Sequence, residues 1–189
     1  LIVTYTFYLP ERTSGGKSHT ICTEFTARTN LRPDWLAEEI GVFDGEYDEA
    51  QYVEEEHAFA VKDSAHPWHA MIGCSEAPEK QETSADLCGS EVVLGNGTGV
   101  RMSHQFVLQP GEKKQISFYV AASLKSETEC ADVYHALTGG TDFEQEKAEK
   151  YEKLLAQTKL SVGDKQFEET FDWVKVHTDW LTLDVDGIG

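Results

Sequence analysis

The chain has 189 residues, of which 40% are hydrophobic and 11% aromatic, a composition typical of a globular domain with its own core. Its 34 acidic residues outnumber its 16 basic ones, giving a formal net charge of -18. Such a surface repels phosphate groups, so the composition excludes nucleic acid and anionic membranes as partners. No stretch approaches the about 18 apolar residues of a membrane-spanning helix.

The start of the chain follows the pattern of a β protein. Leu1–Leu9 alternates in polarity and is rich in β-branched and aromatic residues, which predicts a first strand. A second strand is predicted over His19–Asn30, and it places four residues on one face: Ile21, Thr23, Phe25 and Ala27. After the break at Pro33, we expect one short helical turn over Leu36–Gly41.

The middle of the chain predicts two further strands and a loop. Within Gln51–Lys62 we expect a strand that ends at Phe59-Ala60-Val61. Glu54-Glu55-Glu56 then forms an exposed strand edge, where charge prevents aggregation between sheets. Trp68–Cys74 predicts another strand, and the polar residues 75–90 predict a loop.

A hairpin and a long strand complete the β region. Glu91–Leu94 and Val100–Leu108 flank a glycine-rich tip in which Asn96-Gly97 supplies the positive φ values of a tight hairpin. Lys114–Ser123 follows as a strongly β-forming strand. About eight strands in this order predict an antiparallel β-sandwich over residues 1–123.

The pattern changes to helices after residue 123. Ser126–Leu137 predicts a helix. Thr141 and Glu144 fit a capping box for a second helix that runs to about Thr158, and Asp164 caps the last helix. We therefore expect a helical linker over residues 124–189, made of two or three helices.

The last helix carries apolar residues on two sides. One stripe holds Phe167, Phe171, Val174 and Leu181, and the other holds Trp173, Val176, Trp180 and Leu183. Two stripes require two partners, and this chain supplies one. We therefore expect the chain to be a piece of a larger protein, with Trp173 and Trp180 partly exposed and facing a missing domain.

The candidate binding residues lie around one compact motif, His66-Pro67-Trp68-His69. Its histidines are consistent with an acid/base pair, a metal half-site, or a sugar platform next to the flat face of Trp68; the alternative is an ordinary turn with a buried tryptophan. We assign His66, Trp68, His69 and Trp35 as candidate substrate-binding residues. The other histidines lack a matching spacing, so we predict neither a metal nor a cofactor.

No motif identifies catalytic residues in this chain. G-x-S-x-G, phosphate-binding loops, G-x-G-x-x-G and H-E-x-x-H are all missing from the sequence. The four cysteines form no C-x-x-C, which favours free thiols in a reducing compartment and a cytoplasmic location.

Two parts of the chain resemble a known family. The run Phe167–Lys175, followed by Thr178–Leu181 and Asp184–Gly189, resembles the connector of bacterial glycogen-debranching-enzyme-like proteins, which are amylo-α-1,6-glucosidase-like glycoside hydrolases. Phe106–Glu112 and Phe118–Ser123 are similar to the last strands of their β-supersandwich domain. In that family linker helices lead from the supersandwich into an (α/α)6 barrel.

The resemblance implies a parent enzyme that hydrolyses α-glucans or related glycosides with carboxylates on the barrel. Since the barrel is missing here, no catalytic residue carries over to this chain. We therefore expect a non-catalytic N-terminal domain that packs against the barrel and shapes its cleft, with Trp173, Val176, Trp180 and Leu183 between the domains.

Two alternatives come from other functional classes. A free-standing carbohydrate-binding module would use Trp68 or Trp35 as a stacking platform. An aldose-epimerase-like enzyme would need an imidazole and a carboxylate converging in a groove, for which His66, His69 and an acidic neighbour are the candidates.

Overall fold

The computed structural model describes residues 1–11, 15–31, 47–84, 87 and 97–182. These residues form eight strands: β1 (Ile2–Tyr8), β2 (His19–Thr29), β3 (Asp48–Val53), β4 (Ala58–Asp63), β5 (His69–Cys74), β6 (Lys80–Ser84), β7 (Thr98–Leu108) and β8 (Lys113–Ser123). Three α-helices follow: α1 (Glu127–Thr138), α2 (Phe143–Gln157) and α3 (Lys165–Leu181). The predicted β-sandwich with C-terminal helices is confirmed.

The strands form two antiparallel sheets. One has the order β1-β8-β5-β4-β3 and the other the order β2-β7-β6. Their longest pairing joins β2 to β7 over eleven residues, from His19 opposite Leu108 to Thr29 opposite Thr98. In the larger sheet, β5 pairs with β4 on one side and with β8 on the other. The middle of this sheet is thereby fixed by backbone hydrogen bonds on both sides.

The core lies between the inner faces of the two sheets. Because side chains alternate along a strand, every second residue points inward. The buried core residues are Phe59, Val61, Ala70, Ile72, Cys74, Val100, Met102, Ile116 and Phe118. Phe25 of the smaller sheet stacks on Phe118 of the larger one with 4.2 Å between ring centroids. The predicted inward face of β2 is confirmed, since Ile21, Thr23, Phe25 and Ala27 are half-buried while the residues between them are exposed.

Helix α1 packs on the outer face of the larger sheet, over β5 and β8. Ser126 caps it by accepting a hydrogen bond from Glu129 N at 3.1 Å. Cys130, Tyr134 and Leu137 are buried, at a spacing that puts them on one side of a helix. The Tyr134 hydroxyl donates to the carbonyl of Glu56 at 3.1 Å. The larger sheet is thus covered on both faces where α1 lies.

Residue contacts divide the chain into two units, Leu1–Gly140 and Thr141–Gly189. The first contains the sandwich and α1. The assignment of residues 1–123 to a sandwich domain and of residues 124–189 to a linker stays a prediction.

The second unit is a hairpin of two helices. Lys150 Nζ lies 2.7 Å from Asp179 Oδ2, and Lys175 Nζ donates to the carbonyls of Leu155 and Thr158 at 2.7 and 2.6 Å. These contacts pair the end of α2 with the middle of α3, so the helices run antiparallel. Lys175 also neutralises carbonyls that a helix C-terminus leaves without partners.

Several predicted elements are wrong in detail. The single strand within Gln51–Lys62 is two strands, because Glu54–Glu56 forms a 3₁₀ turn between β3 and β4 rather than a strand edge. His57 closes that turn with φ of 48°. The predicted loop over 75–90 contains β6. Asp142, not Thr141, caps α2 by accepting from Gln145 N at 2.9 Å. Asp164 caps α3 as predicted.

Two predicted elements, the turn over Leu36–Gly41 and the hairpin strand Glu91–Leu94, lie outside the described residues. Among the described helices, none is long and apolar enough to span a membrane.

The close packing of α1 on the larger sheet depends on the absence of a side chain at Gly73. A Cβ on Gly73 would lie 2.0 Å from the Tyr134 hydroxyl and 2.7 Å from Ala58 Cβ. We expect Gly73→Ala to lower the free energy of unfolding by about 1–3 kcal/mol in urea denaturation, as overpacking does. Tyr134→Phe removes the closest atom, so the double variant should lose less than the sum of the two single variants. Additive losses would contradict this contact.

Candidate functional site

The turn between β4 and β5 holds a buried carboxylate against a histidine. Asp63 Oδ1 accepts hydrogen bonds from Ala65 N at 2.9 Å, His66 N at 2.6 Å and His66 Nδ1 at 2.8 Å. The Asp63 side chain has no exposed surface. Burial alone would raise the pKa of Asp63, but these hydrogen bonds outweigh it and lower the pKa below its ordinary value of 3.8.

The ring of His66 is fixed on a second side by Trp68. The two rings stack with 3.9 Å between centroids and 9° between planes. Trp68 is 9% exposed, so its indole is a buried support for the histidine. An open indole face for a pyranose, which the sugar-platform prediction required of Trp68, is not what the structure shows. The ordinary turn with a buried tryptophan, named as the alternative, describes this geometry better.

His69 lies on the opposite face of the larger sheet. Ala70, Ile72 and Cys74 of β5 point into the core, so His69 and Met71 point outward. The structure therefore brings His66 to Trp68 and Asp63, but separates His69 from them. Contact of His66 or His69 with a sugar stays a prediction.

His69 contributes to a groove of about 650 Å³ on the outer face of the larger sheet, beside α1. Its floor is apolar, with Ala60, Met71, Cys130 and Ala131. Its polar lining consists of Glu49, Gln51, Glu56, Lys62, His69, Glu127 and His135. No local pattern in the sequence predicts this groove, since its walls come from strands and a helix about 80 residues apart along the chain.

One hydrogen bond connects the two walls of the groove. His135 Nε2 lies 2.9 Å from Glu56 Oε1, across 79 residues of sequence. An imidazole and a carboxylate do meet in a groove, as the epimerase-like alternative requires, but they are not His66 or His69. The side chains of His135 and Glu56 hydrogen-bond to each other directly and join α1 to the 3₁₀ turn. This contact fixes α1, and it does not place an acid and a base on two sides of a substrate.

The three glutamates of its lining make the groove unsuited to anions. Lys62 is engaged by Glu49 at 3.0 Å, whereas Glu56 and Glu127 add negative charge nearby. Phosphorylated ligands are therefore disfavoured, and neutral or cationic ligands are not. In the described part of the chain, no three side chains of His, Cys, Asp and Glu form a metal-binding group.

The second unit presents an aromatic face on α3. Trp173 is 59% exposed and Trp180 54% exposed, as expected from the two-stripe pattern. His177 lies between them, with ring-centroid distances of 5.6 and 5.1 Å. Trp180 Nε1 donates to Tyr151 Oη at 2.5 Å. Among the predicted residues, Trp35 and Leu183 lie outside the described ranges.

The same face borders a shallow cleft of about 390 Å³ within the hairpin. Tyr151, Leu155, Trp173, Val176 and Trp180 line it, with Glu169 and Asp172 as its acidic members. Trp173, Val176 and Trp180 therefore share one surface, as predicted. Their role between domains stays a prediction.

No protein-family model matches the chain, and no curated protein matches it. Among solved structures it is similar to one named "Putative kojibiose phosphorylase from human microbiome", with 9% sequence identity and a TM-score of 0.47. The similarity covers 93% of this chain, which spans about a quarter (24%) of the length of that protein. A likeness of this degree identifies neither a family nor an activity.

The Asp63 contacts predict an acid-dependent contribution to stability. Because folding lowers the pKa of Asp63, its ionised form stabilises the fold above about pH 4, and this contribution is lost as the pH falls through the folded pKa. We expect Asp63→Asn to lower the free energy of unfolding by about 1–3 kcal/mol at pH 7, since buried N–H groups lose a charged acceptor.

Urea denaturation between pH 7 and pH 2.5 measures this effect. The difference between the two proteins should shrink toward acid pH. Glu49→Gln, at an exposed carboxylate of the neighbouring strand, is the matched control and should have the stability of the unsubstituted chain. A difference for Asp63→Asn that stays constant with pH would show that the carboxylate charge plays no part.

Proposed function

We propose that this chain is a non-catalytic domain of a glycoside hydrolase acting on α-glucans or related glycosides, and that its helical hairpin packs on a catalytic barrel. The single observation that carries the proposal is the exposed aromatic face of α3. The resemblance of residues 167–189 to a family connector agrees with it.

A two-helix hairpin cannot bury two apolar stripes. Between residues 141 and 182 no side chain is buried, although α3 presents Trp173 and Trp180, both more than half exposed, on one face. Large apolar side chains grouped on one surface are typical of contacts with another protein element. Trp and Tyr are also the residues that contribute most to such contacts. A partner surface of apolar helices would satisfy this face.

The two carboxylates that contact histidines in the sandwich are not arranged for glycoside hydrolysis. The carboxylate of Asp63 is fully buried in a turn, and the carboxylate of Glu56 is hydrogen-bonded to His135. Glycoside hydrolysis requires two carboxylates on either side of the scissile bond, one of them free to donate a proton. Neither of these carboxylates is placed for that task.

Activity should require the rest of the gene. We expect the 189-residue chain to leave a panel of α-glucosides intact, and a chain extended by about 400 residues, the size of a large barrel domain, to hydrolyse at least one of them. Release of reducing sugar measures this. Turnover by the short chain would refute the non-catalytic role, and inactivity of both chains would refute the proposed parent class.

We expect a substitution in the aromatic face to lower the stability of the protein only when the proposed barrel is present. We expect Trp173→Ala to lower the free energy of unfolding of the extended chain by about 2 kcal/mol, the cost of truncating an anchor residue. In the 189-residue chain the change should stay within about 0.5 kcal/mol. Tyr47→Ala, at an exposed aromatic residue of the sandwich, is the control and should be small in both. Equal effects of Trp173→Ala in the two chains would contradict docking through this face.

A further inference from the structure

Three soft donor side chains meet in the core of the sandwich. Cys74 ends β5, and Met102 and His104 lie on the inner face of β7 opposite it. Cys74 Sγ is 3.5 Å from Met102 Sδ and 3.4 Å from His104 Nε2. The three residues are 3%, 0% and 5% exposed.

A backbone carbonyl completes this group. Glu76 O lies 2.9 Å from Cys74 Sγ and 3.3 Å from His104 Nε2. His104 Nδ1 is buried and has no hydrogen-bond partner among the described residues. Among the described residues, the hydrogen-bond contacts of His104 are therefore those of Nε2, with Cys74 Sγ and Glu76 O. Burying this imidazole with one nitrogen unsatisfied costs free energy that an apolar ring in the same place would not cost.

The spacing of the donors suits one small metal ion. Metal–sulfur bonds of about 2.3 Å and metal–nitrogen bonds of about 2.0 Å, at tetrahedral angles, place sulfur and nitrogen about 3.5 Å apart. The separations from Cys74 Sγ to His104 Nε2 and Met102 Sδ are close to that value. Both separations that involve Cys74 Sγ are therefore already those of donors sharing one ion.

We propose that Cys74, Met102 and His104 form a binding site for a single Cu(I) ion. Thiolate and thioether sulfur are the ligands that select Cu(I), and imidazole binds it as well. On binding, the Cys74 thiol loses its proton to solvent and the sulfur forms a bond to the ion, with no change in the oxidation state of either. One thiolate and one monovalent cation leave the buried site neutral.

Zn²⁺ fits this site less well. With one thiolate it would leave a net positive charge in the core, which is costly in an apolar environment. Structural zinc sites are built from four cysteine or histidine ligands, whereas this cluster offers a thioether and a carbonyl instead. The selectivity of Cu(I) over Zn²⁺ is therefore part of the proposal, which does not depend on the proposed domain role.

The test uses a variant in which Cys74 is the remaining cysteine: Cys22→Ser, Cys88→Ser and Cys130→Ala together. Cu(I), kept reduced by ascorbate under nitrogen, is titrated against a colorimetric Cu(I) chelator. We expect one equivalent to bind, and X-ray absorption of the complex to show two sulfur ligands and one nitrogen ligand. Zn²⁺ at the same concentration should not displace the copper.

Two substitutions in this background decide the outcome. Met102→Leu keeps the volume of the core but removes the thioether, and it should weaken Cu(I) binding by about tenfold or more, since loss of a residue that only orients a metal ligand already costs about tenfold. Cys74→Ser should abolish binding, with circular dichroism to show that the variant is folded. Met71→Leu, on the outer face of β5, is the matched control and should bind like the background.

Unchanged affinity in Met102→Leu, or a sulfur-only or nitrogen-only absorption spectrum, would overturn the site. The same conclusion would follow if less than half an equivalent of Cu(I) bound to a folded single-cysteine variant.

Discussion

The alternation of side chains along β5 is the constraint on which most of this structure depends. The strand is paired on both edges, so its register cannot shift without breaking two ladders. Ala70, Ile72 and Cys74 therefore point into the core, while His69, Met71 and Gly73 point outward. The inward set joins the two sheets. The outward set provides one wall of the groove and, at Gly73, the space in which α1 comes close enough to bury Tyr134.

The sequence was sufficient for the fold class and for most strands, because a half-buried strand shows its period in its residues. The sequence does not predict β6, since all five residues of Lys80–Ser84 are polar and the strand is held to β7 by backbone pairing rather than by an apolar face. The division of β3 from β4 was missed because Glu54–Glu56 contains none of the usual turn residues, and His57 takes the left-handed conformation instead of a glycine. The groove could not be predicted, since Glu56 and His135 meet across 79 residues.

The apolar pattern of α3 predicts which side chains of the hairpin are exposed, but not the polar contacts that join its two helices. Two apolar stripes on α3 predict two contact surfaces, and the exposure of Trp173 and Trp180 agrees with that prediction. Polar contacts join the two helices: Lys175 of α3 donates to carbonyls at the end of α2, and Lys150 pairs with Asp179. Exposed ion pairs contribute little to stability. Tyr151, Leu155 and Val176 line the cleft of the hairpin and are half-buried, so apolar packing contributes to the hairpin beside these polar contacts.

The end of β5 joins the outer and inner features of the sandwich. Gly73 faces the Tyr134 hydroxyl, and the next residue, Cys74, faces Met102 and His104. The chain then leaves the sheet through Ser75, whose hydroxyl accepts from Ser117 N at 3.0 Å, and Glu76, whose carboxylate binds Lys114 at 2.8 Å. These two anchors on β8 fix the carbonyl of Glu76 beside the sulfur and the imidazole. The donor cluster is therefore held by the backbone of the sheet itself, which is the rigidity that a preorganised binding site requires.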